Sequence, residues 1–212
     1  MKTTVFLIRH GETPWNVLGK FQGSNDIALS EKGIVQAHQL KERFKSTFDF
    51  IYSSPLVRAY ETAKILASVN GKEALIAKDL REINFGEWEG LTLKEIQETY
   101  QEAFKLWKTD KVNAPLCGGD NSLKLASIRA KECILEIINE HKGDTIAIVA
   151  HGGILKAALI GLFQWDMDMY HKMILGNTAV CEIKFDDFLT PSLVSFNDTT
   201  HLSQTHKSVS FI

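Results

Sequence analysis

A chain of 212 residues suits one domain with a sizeable core, or a domain with a small cap. With 44% apolar and 24% charged residues and a net charge of −2, nothing in the bulk composition draws it to nucleic acid or an anionic membrane, so any positive charge for an anionic ligand has to be local. The opening MKTTVFLIRHGE is too short and too soon charged for a signal peptide, and no run reaches the ~18 apolar residues of a membrane span; three scattered cysteines (Cys117, Cys133, Cys181) form no CxxC pair, so a cytoplasmic, reduced chain without a structural zinc is expected.

Strand and helix signals alternate. Thr3–Ile8 is a short apolar run rich in β-formers that ends at Arg9-His10-Gly11. Ser30–Lys45 carries Ile34, Ala37, Leu40 and Phe44 at helical spacing, with Ser30 as a helix start. Phe48–Tyr52 reads as a second strand ending at Ser53-Ser54-Pro55, followed by a helix over Leu56–Ser68, and Ala74–Ala77 as a third strand. From about 80 to 118 the pattern changes: Phe85, Trp88, Phe104 and Trp107 stand among charges, with helical spacing from Thr92 to Lys108, as in a cap inserted over an active site. Gly118-Gly119-Asp120-Asn121 breaks the chain before a helix over Ser122–His141. Thr145–Ala150 is the clearest buried strand; it ends at His151-Gly152-Gly153 and leads into a helix over Ile154–Phe163. Asn177–Phe185 and Leu193–Asn197 read as two closing strands, with antiparallel pairing expected.

This alternation predicts a single α/β domain: a three-layer sandwich with a mostly parallel sheet, helices on both faces and a small helical cap. Ligands of such sheets bind at the carboxyl ends of the strands. Arg9-His10, Ser53…Arg58 and His151 each follow a different predicted strand, so sequence-distant polar groups fall on one sheet edge. A phosphate monoester carries about two negative charges near neutral pH. Arg9 and Arg58 offer planar forks for its oxygens, and helix starts after His10, Ser54 and His151 offer backbone N–H groups, that of Gly152 included. Neutral imidazole can attack phosphorus, so two histidines at strand ends suggest one nucleophile and one donor to the phosphoryl oxygens. The leaving alkoxide needs a proton, and Glu82, Glu87 and Glu89 crowd the start of the cap.

RHGETPWN (residues 9–16) resembles the signature of the histidine phosphatase superfamily, the phosphoglycerate mutase-like family. The resemblance continues in order through FQG (21–23), LSEKG (29–33), YSSPLVRAYETA (52–63), LREINFGEWEG (80–90) and VAHGG (149–153), nearly the whole chain. It implies a phosphohistidine on His10, phosphate contacts from Arg9, Arg58 and His151, and an acid/base at Glu82. It also implies a phosphate-side polar group at Asn16 and a substrate-side loop at Gln22 and Gly23. Family members need no metal or other cofactor, which agrees with the lack of metal-ligand clusters in the sequence. The partner implied is a small-molecule phosphate ester, for a monomer or a homodimer.

Other features read as ordinary. His38, His141, His171 and His206 lack motif context, and the cysteines read as packing residues without the Arg of a cysteine phosphatase. Gly19-Lys20 lacks the earlier glycine and the Ser/Thr of a P-loop. A cofactor-dependent phosphoglycerate mutase of this family carries adjacent arginines in its cap. None occurs here, which favours the phosphatase branch over an isomerase. A catalytically inactive binding module predicts loss of an essential residue, yet all five catalytic candidates are present. The tail FNDTTHL (196–202) is similar to the α-ribazole phosphatase branch, which suggests α-ribazole 5′-phosphate as a substrate beside a broad phosphomonoesterase activity, with His201 as a surface residue.

Overall fold

The computed structural model describes residues 2–45 and 47–206. Six strands form: β1 (Thr3–Arg9), β2 (Phe50–Ser53), β3 (Ala74–Ile76), β4 (Thr145–Ala150), β5 (Val180–Phe185) and β6 (Pro191–Asp198). They make one mixed sheet in the order β3-β2-β4-β1-β5-β6. The strands β3, β2, β4 and β1 run parallel, while β5 pairs antiparallel with β1 and β6 antiparallel with β5. The helices are α1 (Pro14–Val17), α2 (Glu31–Arg43), α3 (Val57–Ala67), α4 (Leu93–Thr99), α5 (Gln101–Thr109), α6 (Leu123–Glu140) and α7 (Gly152–Phe163).

Strand side chains alternate between two faces. Val5 and Leu7 of β1 and Ile146 and Ile148 of β4 join a core with α6, α7 and the segment that follows β3. Ile8, Ala147 and Val149 face the other way, against Leu40 of α2 and Ala59, Ala63 and Leu66 of α3. This is the expected three-layer α/β arrangement. Burial on both faces explains why β4 reads as a continuous apolar run.

Local chemistry sets the helix starts. Ser30 accepts from the Gly33 N–H at 3.0 Å and Ser122 from the Leu125 N–H at 3.2 Å. Three details differ from the sequence expectation. The helical spacing over 92–108 is met by two helices, divided where Tyr100 leaves helical geometry (φ −120°, ψ 45°). The strand expected from Asn177 starts at Val180, since Thr178 takes a positive φ of 54° in the preceding turn. The short α1, opened by Thr13 as N-cap with Pro14 at the first position, is too brief to show periodicity.

Candidate active site

Strand register brings the candidate residues level. Arg9 pairs with Ala150, and Ser53 with Val149. His10, Ser54 and His151 therefore each stand one step past the sheet on adjacent strands. The His10 N–H bonds to the Ala150 carbonyl at 2.9 Å, and the Ser54 N–H to the Val149 carbonyl at 2.9 Å. The connection after β1 leaves toward α2 and that after β4 toward α7, on opposite faces. A crevice opens where such connections diverge. Gly11 allows the close turn: a Cβ there would lie 2.5 Å from the Gly33 carbonyl oxygen at the start of α2.

Hydrogen bonds fix both imidazole tautomers. His10 Nδ1 lies 2.6 Å from the Gly11 carbonyl, which can only accept, so Nδ1 carries the proton and Nε2 keeps its lone pair. Arg58 Nε donates to His151 Nδ1 at 3.1 Å, which puts the His151 proton on Nε2, directed at Ser54 Oγ 2.6 Å away. The two ring centroids are 5.2 Å apart. Burial, then the Arg58 charge, holds each histidine well below the usual imidazole range; for His10 the Arg9 charge adds to this.

The cations are buried and held by carbonyls. Arg9 Nη1 donates to the Leu175 carbonyl at 2.5 Å, and burial lowers its pKa to about 10. Arg58 Nη1 and Nη2 donate to the carbonyls of Asn25 (2.7 Å) and Gly23 (2.8 Å), while each retains a second hydrogen. Glu82 closes the crevice from the segment after β3. Its Oε1 accepts from the N–H groups of Ile83 (2.8 Å) and Ile154 (2.7 Å), and its Oε2 from Gly153 N–H (3.0 Å). The carboxylate thus caps α7, where orphan N–H groups and the helix dipole favour negative charge. A side chain at 153 would collide with it: a Cβ there would lie 2.7 Å from Glu82 Oε1 and 3.0 Å from Tyr170 Oη.

Arg9, His10, Asn16, Gln22, Gly23, Arg58 and Glu82 line one small cleft, with about 20 Å³ of free space. His151 stands behind it against His10. Gly152 does not line the cleft; it packs against the Arg9 guanidinium, and Gly153 lines the cleft in its place. The helix starts expected after His10 and Ser54 lie at Pro14 and Val57. Asn16 Oδ1 accepts from Thr13 N–H and from Asn177 Nδ2, both at 3.1 Å. Gln22 Oε1 accepts from Thr13 Oγ1 at 3.0 Å.

Sequence reasoning missed Lys20, Phe85 and Tyr170 in the cleft wall. It also missed Ser54 and Asn177 as partners of His151 and His10. Ser54 stood inside a quoted motif at a strand end, which was a usable signal. Tyr170 lies in a 3-10 turn far along the chain, and nothing in the local sequence marks it.

Two clamped cations, an unprotonated imidazole nitrogen and a carboxylate around a narrow cleft suit transfer of a phosphoryl group. Among the described residues no group of three or more His, Cys, Asp or Glu is placed to hold a metal ion, and no helix is long and apolar enough to cross a membrane.

Known proteins are similar to this chain in sequence and fold. The model of the histidine phosphatase superfamily (branch 1) matches residues 5–199. Phosphoserine phosphatase 1 of Hydrogenobacter thermophilus is 31% identical, across 97% of this chain and 99% of its own length. Phosphoglycerate mutase-like protein 4 of Arabidopsis thaliana is 34% identical, across 95% of this chain and 87% of its own. Phosphoserine phosphatase from Entamoeba histolytica, solved as a mutant with phosphoserine and also with 3-phosphoglyceric acid, superimposes with a TM-score of 0.89 at 38% identity; the match covers 95% of this chain and 100% of that one.

Proposed function

We propose that this chain, which belongs to the histidine phosphatase superfamily and is a phosphatase, hydrolyses small carboxylate-bearing phosphate monoesters, phosphoserine foremost, through a phosphohistidine on His10. The observation that carries this reading is the His10 Nδ1–H bond to the Gly11 carbonyl, which leaves the Nε2 lone pair free beside Arg9 and Arg58. In the proposed reaction the arginines hold the phosphoryl oxygens through their remaining N–H groups. Nε2 forms the new N–P bond as the P–O bond to the alcohol breaks, and the leaving oxygen takes its proton by way of Glu82. Water then attacks phosphorus, Glu82 takes its proton, and the N–P bond breaks to release phosphate. His151 turns its Nε2–H from Ser54 Oγ to the phosphoryl oxygens as charge builds there. The segment over about 80–118 serves as the cap, delivering Glu82 to the cleft.

The substrate class rests on the relatives and on size. The cleft is small, and Lys20 lines it with a cation for a carboxylate. The α-ribazole reading has less support. The tail residues behind it engage the fold instead: Asn197 accepts from Gly176 N–H, Asp198 pairs with Arg43, and His201 bonds to Thr178 Oγ1.

The test is hydrolysis of p-nitrophenyl phosphate with and without EDTA, in the wild-type protein and in His10→Ala. The expected result is activity that survives EDTA and falls by at least about 10⁴-fold in the variant; full activity in His10→Ala sinks the mechanism. A panel of phosphoserine, α-ribazole 5′-phosphate and 3-phosphoglycerate with its bisphosphate primer ranks substrates. Phosphoserine should show the highest kcat/KM, and efficient conversion of 3-phosphoglycerate to its 2-isomer would instead mark an isomerase.

A further inference from the structure

A second chamber of about 260 Å³ lies beside the reaction cleft, with Tyr170 as their shared wall. Aromatic rings of Phe21, Phe104 and Trp107 line it, and Leu93 and Ile174 stand exposed at its rim. Its charges are of one sign: Lys156 and Lys108 line it, and no carboxylate does among the described residues. Lys156 is 7% exposed, and its Nζ meets only the Tyr170 ring, 3.9 Å from the centroid; no hydrogen-bond or ion-pair partner stands beside it among the described residues. Burial lowers its pKa to about 8. Glu82 acts on it electrostatically without forming an ion pair, so a negative charge brought in by a ligand to pair directly with the buried ammonium would stabilise it further. His171 adds no positive charge near neutral pH, since burial lowers its pKa to about 4, and its Nε2–H is directed at the Trp107 carbonyl at 3.1 Å.

We propose that this chamber binds a small organic carboxylate with an apolar or aromatic body, its head paired with Lys156 and its body against Phe21, Phe104 and Trp107. The volume and apolar walls are those of a small-molecule site in which one polar group sets the orientation. The carboxylate could belong to a separate ligand or to the leaving group of a bulkier phosphate ester, since the two cavities share a wall. Binding does not depend on turnover, so the chamber stands or falls apart from the phosphatase reading.

The experiment is calorimetric titration, with Trp107 fluorescence as a second readout, using 3-phenylpropionate and its uncharged analogue 3-phenylpropanol. Wild-type protein should bind the carboxylate at least about tenfold more tightly than the alcohol, the range of one charge-assisted contact. Lys156→Met, which keeps the volume and removes the charge, should bring the carboxylate down to the alcohol's affinity. Equal binding of the two probes by the wild-type protein overturns the proposal even if the variant fails to fold, and so does unchanged carboxylate binding in a folded Lys156→Met. Repeating the titration in saturating inorganic phosphate separates the sources. Undiminished binding assigns the chamber to a separate ligand, and competition assigns it to the leaving group.

Discussion

At and just beyond the carboxyl ends of β1, β2 and β4 the buried side chains include Arg9, His10, Arg58 and His151. On the segment after β3 they are Ile83, Phe85, Trp88, Phe104 and Trp107. The first region buries charge and dipole, and each group is held by a named bond to a carbonyl, an imidazole or a hydroxyl. The second is a nest of rings in edge-on contact: Phe21 with Phe85 at 5.0 Å, Trp88 with Trp107 at 5.2 Å and Trp107 with Tyr170 at 5.8 Å. Hydrogen bonds fix direction, which a phosphoryl-transfer site needs; apolar contact supplies stability and excludes water. Glu82 belongs to both, since its chain neighbour Ile83 is anchored in the nest and its carboxylate caps α7 at the edge.

That division predicts which measurement each substitution moves. Glu82→Gln keeps an acceptor for the α7 cap and removes the exchangeable proton. It should lower kcat by about 10²–10⁴-fold with little change in KM or Tm. A loss confined to KM would move Glu82 from proton transfer to binding. Trp88→Ala acts in the other region. Trp88 is fully buried, and removing a ring of that size costs about 3–5 kcal/mol. Denaturant unfolding should show that loss, while kcat per folded molecule holds. A parallel collapse of kcat would show that the ring nest also positions the reacting groups.

Much of the sheet edge was legible because its determinants are local. Three short apolar runs each end in a polar triplet, and parallel pairing then places those ends side by side. Asn16, Gln22 and Gly23 were reachable through motif order. The contacts that finish the site were not. Tyr170 and Asn177 come from turns far along the chain, and the choice of Glu82 over Glu87 and Glu89 follows from which carboxylate meets the start of α7. Glu89 instead bonds to Ser24, Asn25 and Phe85 N–H. The break at Tyr100 was invisible because residues 96, 100, 104 and 107 make an unbroken helical stripe in the sequence.

The buried histidines also make the stability of the fold depend on pH. Both His10 and His151 are held neutral when folded, chiefly by burial. Around pH 6.5 and below, the unfolded chain takes up protons that the folded chain refuses, so the unfolded state binds more protons and stability rises with pH. The contribution is complete above about 6.5 and is lost as pH falls, by about 1.4 kcal/mol per pH unit for each histidine. Urea unfolding at pH 7.5, 6.5 and 5.5 should follow that slope. His10→Asn with His151→Gln should make it shallower, leaving the part due to His171 and His201, whose pKa values burial lowers to about 4, whereas Trp88→Ala should shift the curve down without changing its shape. An unaltered slope in the double variant would place the pH dependence elsewhere in the chain.

The smallest expected effect lies where the regions are joined. Asp120 Oδ2 accepts from Arg129 Nη2 of α6 at 2.8 Å and from Asn84 N–H at 3.1 Å, and Arg81 Nη2 reaches Oδ1 at 3.3 Å. Arg129 Nη1 in turn donates to the carbonyls of Asp79 (2.6 Å) and Arg81 (3.0 Å). Residues on both sides of Glu82 are therefore tied to α6 through one carboxylate. Asp120→Asn keeps the shape and weakens the charge-assisted bonds, so stability should fall by about 1–2 kcal/mol. If these bonds aim Glu82, kcat should drop several-fold at constant KM even under conditions where the variant is fully folded. If kcat follows only the folded fraction, Leu80 and Ile83, both fully buried in the same core as Trp88, position Glu82 without help. The apolar region would then set the geometry of the acid/base as well as the stability of the fold.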